Sequence, residues 1–226
     1  MGSGGGCINR YYGMVSEDRR INAVTVYCSS SNSIHPEYAR MASAIGRMIG
    51  ESGRSLVYGG GSVGMMGHAA RACRSAGGRV VGVITETLRD AEQMDPDNDE
   101  IIVVRTMRER KRIMEERGDC FVILPGGLGT LEEFFEILVG RILSEHGKPL
   151  ALVNMEDPDD RGSGFFDPLL VLFDHMIASK FAKPGVLTMF SLTPTADALM
   201  AQVDTWERDG VARVDTRTLV PSGPNR

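Results

Sequence analysis

The chain has 226 residues, of which 42% are hydrophobic and 24% charged, and its formal net charge is −5 at pH 7. This length suits one globular domain with a large core. The acidic balance argues against a nucleic-acid-binding protein, which is usually basic. No apolar run approaches the roughly 20 residues of a membrane span, so neither nucleic acid nor membrane is an expected partner.

The four cysteines, at positions 7, 28, 73 and 120, show no CxxC spacing and have no neighbouring histidine cluster. They predict neither a disulfide framework nor a zinc site and indicate a reducing compartment. The opening "MGSGGGCINR" lacks the apolar segment of a signal peptide. We therefore expect a cytoplasmic protein with a disordered segment at 1–20, one domain at 21–207 and a polar tail at 208–226.

Strand and helix patterns alternate along the chain. Apolar runs predict strands at 23–30, 55–61, 79–84, 100–106, 120–125, 149–155 and 185–191. Helical spacing predicts helices from 38 to Gly53, at 64–78 and 107–118, over about 16 residues ending at 146, and at 165–181 and 193–206. This alternation predicts an α/β fold, a single domain with a doubly wound, mostly parallel sheet. Ligands of such sheets bind beyond the carboxyl ends of the strands, here after strands two to five.

The loop after the second strand, "YGGGSVGMMG" (58–67), is rich in glycine. Gly59, Gly61 and Gly64 satisfy G-x-G-x-x-G, but the dinucleotide fingerprint belongs after the first strand, which disfavours an NAD-dependent dehydrogenase. Glycines at such a turn let backbone N–H groups approach a phosphate. The alternative interpretation is a tight strand-to-helix turn.

The loop after the fifth strand, "PGGLGT" (125–130), has the same construction. Thr130 is a candidate N-cap, and Thr130-Leu131-Glu132-Glu133 fits a capping box. Glu133 is then solvated, capping or facing a ligand, and periodicity does not choose among the three. The two glycine-rich loops, predicted on neighbouring strand ends, contain no P-loop lysine, which favours one phosphate over a triphosphate and disfavours a Walker ATPase.

Two motifs carry a family resemblance. "PGGLGTLEE" (125–133) resembles the PGGxGTxxE motif of the Lonely Guy (LOG) proteins, and "MRERK" (107–111) resembles their MxxRK motif. "VYCSS" (26–30), "GGGSVGMMG" (59–67) and "GVITETL" (82–88) also resemble family segments, so that the similarity covers residues 22 to 207. Members of this family are cytokinin-activating phosphoribohydrolases, many of them mislabelled lysine decarboxylases.

The resemblance implies a Rossmann-like fold, a homodimer with the active site near the subunit interface, and a nucleoside monophosphate as substrate. The implied reaction cleaves the N-glycosidic bond of a cytokinin riboside 5′-monophosphate, or of AMP, to free base and ribose 5-phosphate. It implies neither a metal nor a redox cofactor.

The resemblance also assigns roles to residues of this chain. The implied catalytic residues are Arg110, Glu133 and, after the third strand, Glu86. The implied phosphate- and substrate-binding residues are Gly59, Gly60, Gly61, Gly64, Met107, Lys111, Gly126, Gly127, Gly129 and Thr130.

The residue types suit the chemistry. Breaking an N-glycosidic bond builds positive charge on the sugar, which a carboxylate such as Glu133 stabilises. A guanidinium does not readily give up a proton at neutral pH, so Arg110 is expected to orient and stabilise charge. The main rival hypothesis is a non-catalytic nucleotide or cofactor carrier, which needs the glycine loops but not both Arg110 and Glu133. A lysine decarboxylase is disfavoured because no lysine stands in a recognisable pyridoxal-phosphate context.

Overall fold

The computed structural model describes residues 20–91, 93–211 and 219. Within these residues, seven strands form one sheet in the order β4-β3-β2-β1-β5-β6-β7, and every pairing in it is parallel. The strands are β1 Ala23–Tyr27, β2 Ser55–Tyr58, β3 Val80–Thr85, β4 Glu100–Val104, β5 Cys120–Ile123, β6 Leu150–Val153 and β7 Ser191–Thr193. The prediction of an α/β fold with a doubly wound parallel sheet is confirmed.

The six predicted helices are present, with ends that differ by a few residues, and the short helix at Leu88–Ala91 was not predicted. They are α1 Pro36–Glu51, α2 Gly64–Ser75, α3 Leu88–Ala91, α4 Met107–Arg117, α5 Leu128–Ile142, α6 Asp167–Ala178 and α7 Ala196–Asp209. The predicted strand at 185–191 is wrong for most of its length, because Pro184–Thr188 forms a 3-10 helix. Proline fixes the backbone angle φ in a range that suits the first turn of a helix, and the strand begins only at Ser191.

Local sequence explains several helix ends. Helix α1 begins with Pro36 after the N-cap His35, whose Nδ1 accepts from the amide of Glu37 at 3.3 Å. Just past its end lies Gly53, whose φ of +74° favours a residue without a side chain. Helix α4 begins after Thr106, whose hydroxyl accepts from the amide of Glu109 at 3.2 Å.

The core has one layer on each face of the sheet. Helices α1, α2 and α7 cover one face, where Trp206 is buried as part of the packing of α7. Helices α4, α5 and α6 and the 3-10 helix cover the other face, around Phe121, Phe134 and Phe173. Strands buried on both faces read as continuous apolar runs, which is why periodicity located them.

The strand order reverses direction between β1 and β5, since β2, β3 and β4 lie to one side and β6 and β7 to the other. In open α/β sheets this switch point is where a crevice forms, because the loops after the two central strands diverge. The predicted segments 1–20 and 208–226 lie outside the described residues, apart from positions 20, 208–211 and 219. No helix in the described part of the chain is both long and apolar enough to cross a bilayer.

Candidate active site

A cleft of about 430 Å³ opens at this switch point, beyond the carboxyl ends of β1 and β5. It is bounded by the loop after β1, the start of α4 and the start of α5. Eight of its lining residues were predicted from the sequence or stand beside those that were: Gly59, Met107, Arg110, Gly127, Gly129, Thr130, Glu132 and Glu133. The cleft therefore brings together the two motifs on which the family resemblance rests.

The N-terminus of α5 has no side chain acting as a cap. The N-cap is Gly127, in an extended conformation, so the predicted capping box starting at Thr130 is wrong. The chain enters the helix three residues earlier than the box requires, and Thr130 lies within the first turn. The amide of Leu131 makes the first helical bond, to the Gly127 carbonyl at 3.0 Å. The preceding amides have no partner within a helix, and they carry the positive end of its dipole.

The three glycines of this loop differ in what the fold demands of them. A Cβ on Gly126 would overlap the side chain of Thr130, which is itself buried. A Cβ on Gly127 or on Gly129 would meet nothing within 4 Å, and neither residue has a positive φ. Packing and backbone conformation thus require glycine at 126 but not at 127 or 129, which both line the cleft.

The loop after β2 is built differently. The amide of Gly64 donates to Asn32 Oδ1 at 2.8 Å, and that of Met65 donates to the Ser29 carbonyl at 3.0 Å. Gly64 has a φ of +55°, and a Cβ there would lie 2.5 Å from the carbonyl carbon of Ser30. The loop after β1 therefore already occupies the start of α2. Strand β1 also lies between β2 and β5, so the two glycine-rich loops do not follow neighbouring strands as predicted.

Gly60 and Gly61 support another part of the chain. Gly61 forms an isolated antiparallel bridge with Met94, and the Gly60 carbonyl accepts from the amide of Asp95 at 2.9 Å. Neither glycine is among the residues that line the cleft, and neither are Gly64 and Gly126. Residues 93–95, which follow α3, thus lie across the glycine loop, and we call them the strap. The hydrophobic periodicity of the sequence did not predict this contact.

Arg110 is fixed by backbone carbonyls. Its side chain is 5% exposed, its Nε donates to the Val83 carbonyl at 3.0 Å, and its Nη2 donates to the Gly59 carbonyl at 3.2 Å. A Cβ on Gly59 would overlap Nη2. The glycine at position 59 is therefore explained by the close approach of this guanidinium, which lines the cleft.

Glu133 lines the same cleft from the first turns of α5. Of the three interpretations left open by the sequence, a capping box with Thr130 is excluded, since the N-cap is Gly127 and Thr130 lies inside the helix. On the floor of the cleft, Tyr27 is 3% exposed. Burial, and next the negative charge of Glu133, raise the pKa of Tyr27 well above its ordinary value, which keeps the phenol neutral beside the carboxylate.

Besides the four glycines named above, two predicted charged residues, Lys111 and Glu86, do not line the cleft. Lys111 points its Nζ at Glu132 and Glu136 of α5, at 2.7 Å from Glu136 Oε2. Glu86 is exposed, and its amide donates to the Val104 carbonyl at 3.0 Å at the end of the β3–β4 pair.

Some lining residues were not predicted as a site. Ser29, Ser30 and Ser31 follow β1 at the switch point, and the amide of Ser29 donates to the Pro125 carbonyl at 3.2 Å. The signal was a run of small polar residues directly after a buried strand. The cleft also has an apolar wall, formed by Met66, Leu88, Met107 and Met114. Among the described residues, no group of three or more His, Cys, Asp or Glu side chains is placed to hold a metal ion.

The chain is similar to several known proteins over most of its length. A family model described as "Possible lysine decarboxylase" matches residues 66–203. The cytokinin riboside 5′-monophosphate phosphoribohydrolase LOG5 of Arabidopsis thaliana is 36% identical over 194 residues, which are 85% of this chain and 82% of the relative. The cytokinin riboside 5′-monophosphate phosphoribohydrolase of Mycobacterium tuberculosis is 40% identical over 179 residues, 79% of this chain and 91% of the relative.

Solved structures are similar in fold. The molybdenum cofactor carrier protein of Chlamydomonas reinhardtii superposes with a TM-score of 0.61 at 20% identity, over 82% of this chain and 98% of that protein. At this identity the likeness bears on the architecture of the sheet and helices alone.

Proposed function

The chain belongs to the Lonely Guy (LOG) family of cytokinin riboside 5′-monophosphate phosphoribohydrolases, and from that membership we propose that it hydrolyses the N-glycosidic bond of cytokinin riboside 5′-monophosphates, of AMP, or of both. The products are the free base and ribose 5-phosphate. The family model's description as a possible lysine decarboxylase does not fit the cleft, since the described residues that line it include no lysine.

The observation that carries this proposal is the state of the α5 N-terminus. Its amides have no capping side chain, and two of its glycines, Gly127 and Gly129, face open space. Uncapped amides at the positive end of a helix bind anions, and glycine lets a phosphate approach the backbone closely. We assign the 5′-phosphate of the substrate to this position, with the amides from Gly127 to Thr130 as donors.

Glu133 stands one helical turn further along α5, on the same cleft. As the glycosidic bond breaks, positive charge grows on the ribose ring, and a carboxylate stabilises that oxocarbenium-like transition state. The same carboxylate positions the attacking water and accepts its proton, and the departing base then takes up one proton, so that the products are the neutral base and ribose 5-phosphate. Anchoring the phosphate holds the sugar at a fixed distance from Glu133, so that binding energy from the non-reacting phosphate lowers the barrier.

Arg110 acts through its charge. Its Nε and Nη2 are held by the Val83 and Gly59 carbonyls, so the guanidinium is pre-organised. A fixed cation in a partly enclosed cleft orients the carboxylate or the substrate and stabilises negative charge on the departing base. The methionine-lined wall that includes Met66 and Met114 supplies the apolar surface against which a purine ring packs.

The proposal includes a homodimer in the cytoplasm. Exposed apolar side chains recur on α5 and α6: Val139 is 47% exposed, Leu143 53%, Val171 66% and Leu172 47%. Apolar surface of this kind on adjacent helices is suited to subunit contact. The described cysteines Cys28, Cys73 and Cys120 are buried thiols outside any disulfide, which suits a reducing compartment. Sedimentation equilibrium gives the mass of the assembly and tests the dimer.

The proposed activity is tested by incubating the purified protein with AMP, isopentenyladenosine 5′-monophosphate and the two matching nucleosides. The expected result is free base and ribose 5-phosphate from a monophosphate, with Glu133→Gln at least about 1,000-fold slower because the transition-state charge loses its carboxylate. Tight binding of a monophosphate without any cleavage would contradict the enzyme and favour a nucleotide carrier.

A further inference from the structure

Lys111 bridges the two helices that carry the proposed catalytic pair. Its Nζ contacts Glu132 Oε1 and lies 2.7 Å from Glu136 Oε2, and its side chain is 13% exposed. Glu132 and Glu136 are four residues apart, so they project from one face of α5. Burial by itself lowers the pKa of Lys111, but the hydrogen bonds with the two carboxylates outweigh it and leave the pKa above its ordinary value. The Lys111 ammonium group is therefore charged and bound by two carboxylates, and little of its side chain contacts solvent.

The Lys111 bridge lies next to both proposed catalytic residues in the sequence. Lys111 directly follows Arg110, and its two partners stand one residue before and three residues after Glu133. Helix α4 packs mainly on β1 to β4 rather than on α5. A side chain that spans the gap between α4 and α5 therefore helps to set how far Glu133 stands from the Arg110 guanidinium.

We propose that Lys111 is a positioning residue for the hydrolysis: it holds the start of α5 against α4, so that Glu133 keeps its place opposite Arg110 and the phosphate-binding amides. This inference rests on the proposed function and adds a role for Lys111, the last residue of the MRERK motif. Reaction rates depend on such placement, since a displacement of about 1 Å costs on the order of 100-fold.

A direct contact between Lys111 and the substrate phosphate is the competing role. The geometry disfavours it, because two carboxylates already accept from Nζ and Lys111 is not among the residues that line the cleft. To reach a phosphate, the lysine would have to leave both half-exposed carboxylates, and the like charges of Glu132 and Glu136 would then face each other on α5 without a cation between them.

Lys111 also places a positive charge among several carboxylates of α4 and α5. Among the residues that the structure describes, the charged and titratable groups in this part of the cleft and beside it come from three elements: Arg110, Lys111 and Glu115 from α4, Glu132 and Glu136 from α5, and Tyr27 from β1. A nearby positive charge favours the ionised form of a carboxyl group. Loss of Lys111 should therefore move the acid limb of the kcat/KM profile to higher pH, a change that a purely structural role would not produce.

The test compares five variants with the wild type on isopentenyladenosine 5′-monophosphate, and the fifth is the double variant Lys111→Met/Glu136→Gln. Lys111→Met removes the bridge, Lys111→Arg retains it, and Glu136→Gln removes one partner that does not line the cleft. Arg112→Met is the matched control, because Arg112 is the next cation on α4 but pairs with Glu116 of its own helix at 2.7 Å and is 59% exposed. Each variant is also measured for thermal unfolding, and kcat and KM are determined from pH 4.5 to 9.

For Lys111→Met we expect kcat to fall about 10-fold to 100-fold with KM within about threefold, as for a displaced catalytic group. Lys111→Arg should restore most of kcat, and Arg112→Met should match the wild type. Glu136→Gln should lower kcat in part, and in the double variant it should add nothing to Lys111→Met, since Lys111→Met already removes the Lys111–Glu136 contact.

Three results would overturn the inference while leaving the hydrolase in place. They are wild-type kcat in Lys111→Met, an increase in KM confined to monophosphates, and full additivity of Lys111→Met with Glu136→Gln. An inactive wild type would instead overturn the proposed function, and the positioning role with it.

Discussion

The two glycine-rich loops look alike in sequence and do different things in the fold. In the loop after β2, the glycines make room for other parts of the chain: the guanidinium of Arg110 at Gly59, the side chain of Ile84 at Gly60, and the loop after β1 at Gly64. In the loop after β5, a Cβ on Gly127 or Gly129 would meet no atom of the described part of the chain within 4 Å.

The difference shows what identifies a candidate anion site. Glycine content alone does not, because a tight turn needs glycine for internal reasons as well. The informative features are amides that the chain leaves without partners and glycines whose missing side chains would meet no protein atom. Helix α5 has both features, whereas the first amides of α2 already donate to Asn32 and Ser29.

Among the variants that test this comparison, we expect the largest effect from Gly64→Ala, which should lower the free energy of unfolding. An alanine there combines a strained positive φ with overlap against the backbone of residues 29 and 30, which together cost at least about 3 kcal/mol. Urea unfolding followed by circular dichroism measures the loss. A variant as stable as the wild type would contradict the internal role assigned to this loop.

Gly129→Ala should affect substrate binding and leave folding intact. Alanine at a helical position is favoured over glycine by up to about 1 kcal/mol, so the melting temperature should stay the same or rise. The added methyl group enters the space assigned to the phosphate, and KM for the monophosphate should rise at least about tenfold. Gly147→Ala is the matched control, because its Cβ also meets nothing within 4 Å but position 147 does not line the cleft. Equal KM values in the two variants would count against the phosphate site.

Gly59→Ala should change kcat without changing the preference for a monophosphate, and this distinguishes the role of the β2 loop from that of the β5 loop. The added Cβ overlaps Nη2 of Arg110 and displaces a guanidinium that two carbonyls now fix. We expect kcat to fall about tenfold while the preference for monophosphate over nucleoside persists, since the amides of α5 are untouched. Steady-state kinetics on both substrates measure this, and a variant that loses the preference would place the phosphate near the β2 loop instead.

The smallest effect concerns the far end of α5, where pH acts on the fold rather than on the cleft. His146 Nε2–H donates to the Ile137 carbonyl at 3.0 Å. Burial, with the nearby positive charges of Lys148 and Arg141, lowers the pKa of His146 to about 4. The unfolded chain therefore takes up this proton at a higher pH than the folded chain, and the free energy of unfolding decreases as the pH falls from about 6.5 to about 4.

Over that range the histidine accounts for about 2 to 3 kcal/mol. His146→Gln, which can keep a donor near the Ile137 carbonyl, should flatten the dependence without shifting the pH profile of kcat. Denaturant unfolding at pH 7 and pH 4.5 compares the two proteins. If the free energy of unfolding fell by the same amount between pH 7 and pH 4.5 in both proteins, other groups would account for the loss of stability in acid.

Much of the architecture could be predicted from local sequence. Buried strands such as "CFVILP" are continuous apolar runs, so their positions follow from composition, and their alternation with helices fixes a parallel sheet. The exception at 184–188 reflects a proline and a glycine that set a turn within an apolar run. The motif residues Arg110 and Glu133 could be named from the sequence, and the fold brings both to one cleft.

Other features depend on contacts between distant segments. The start of α5 at Gly127 rather than Thr130 reflects how the chain leaves β5, which a capping pattern does not record. The contact of the strap residue Met94 with Gly61 and that of Lys111 with Glu136 join residues that are 33 and 25 positions apart. The three serines at 29–31 line the cleft only because β1 pairs with β5.

The most direct measurement is the ratio of kcat/KM for isopentenyladenosine 5′-monophosphate to kcat/KM for isopentenyladenosine, in the wild type and in Gly129→Ala. Hydrogen bonds from several amides to a charged phosphate predict a wild-type ratio on the order of 1,000 or more. The account predicts that Gly129→Ala lowers this ratio at least about tenfold and that Gly59→Ala preserves it. An unchanged ratio in Gly129→Ala would contradict the assignment of the phosphate to the start of α5.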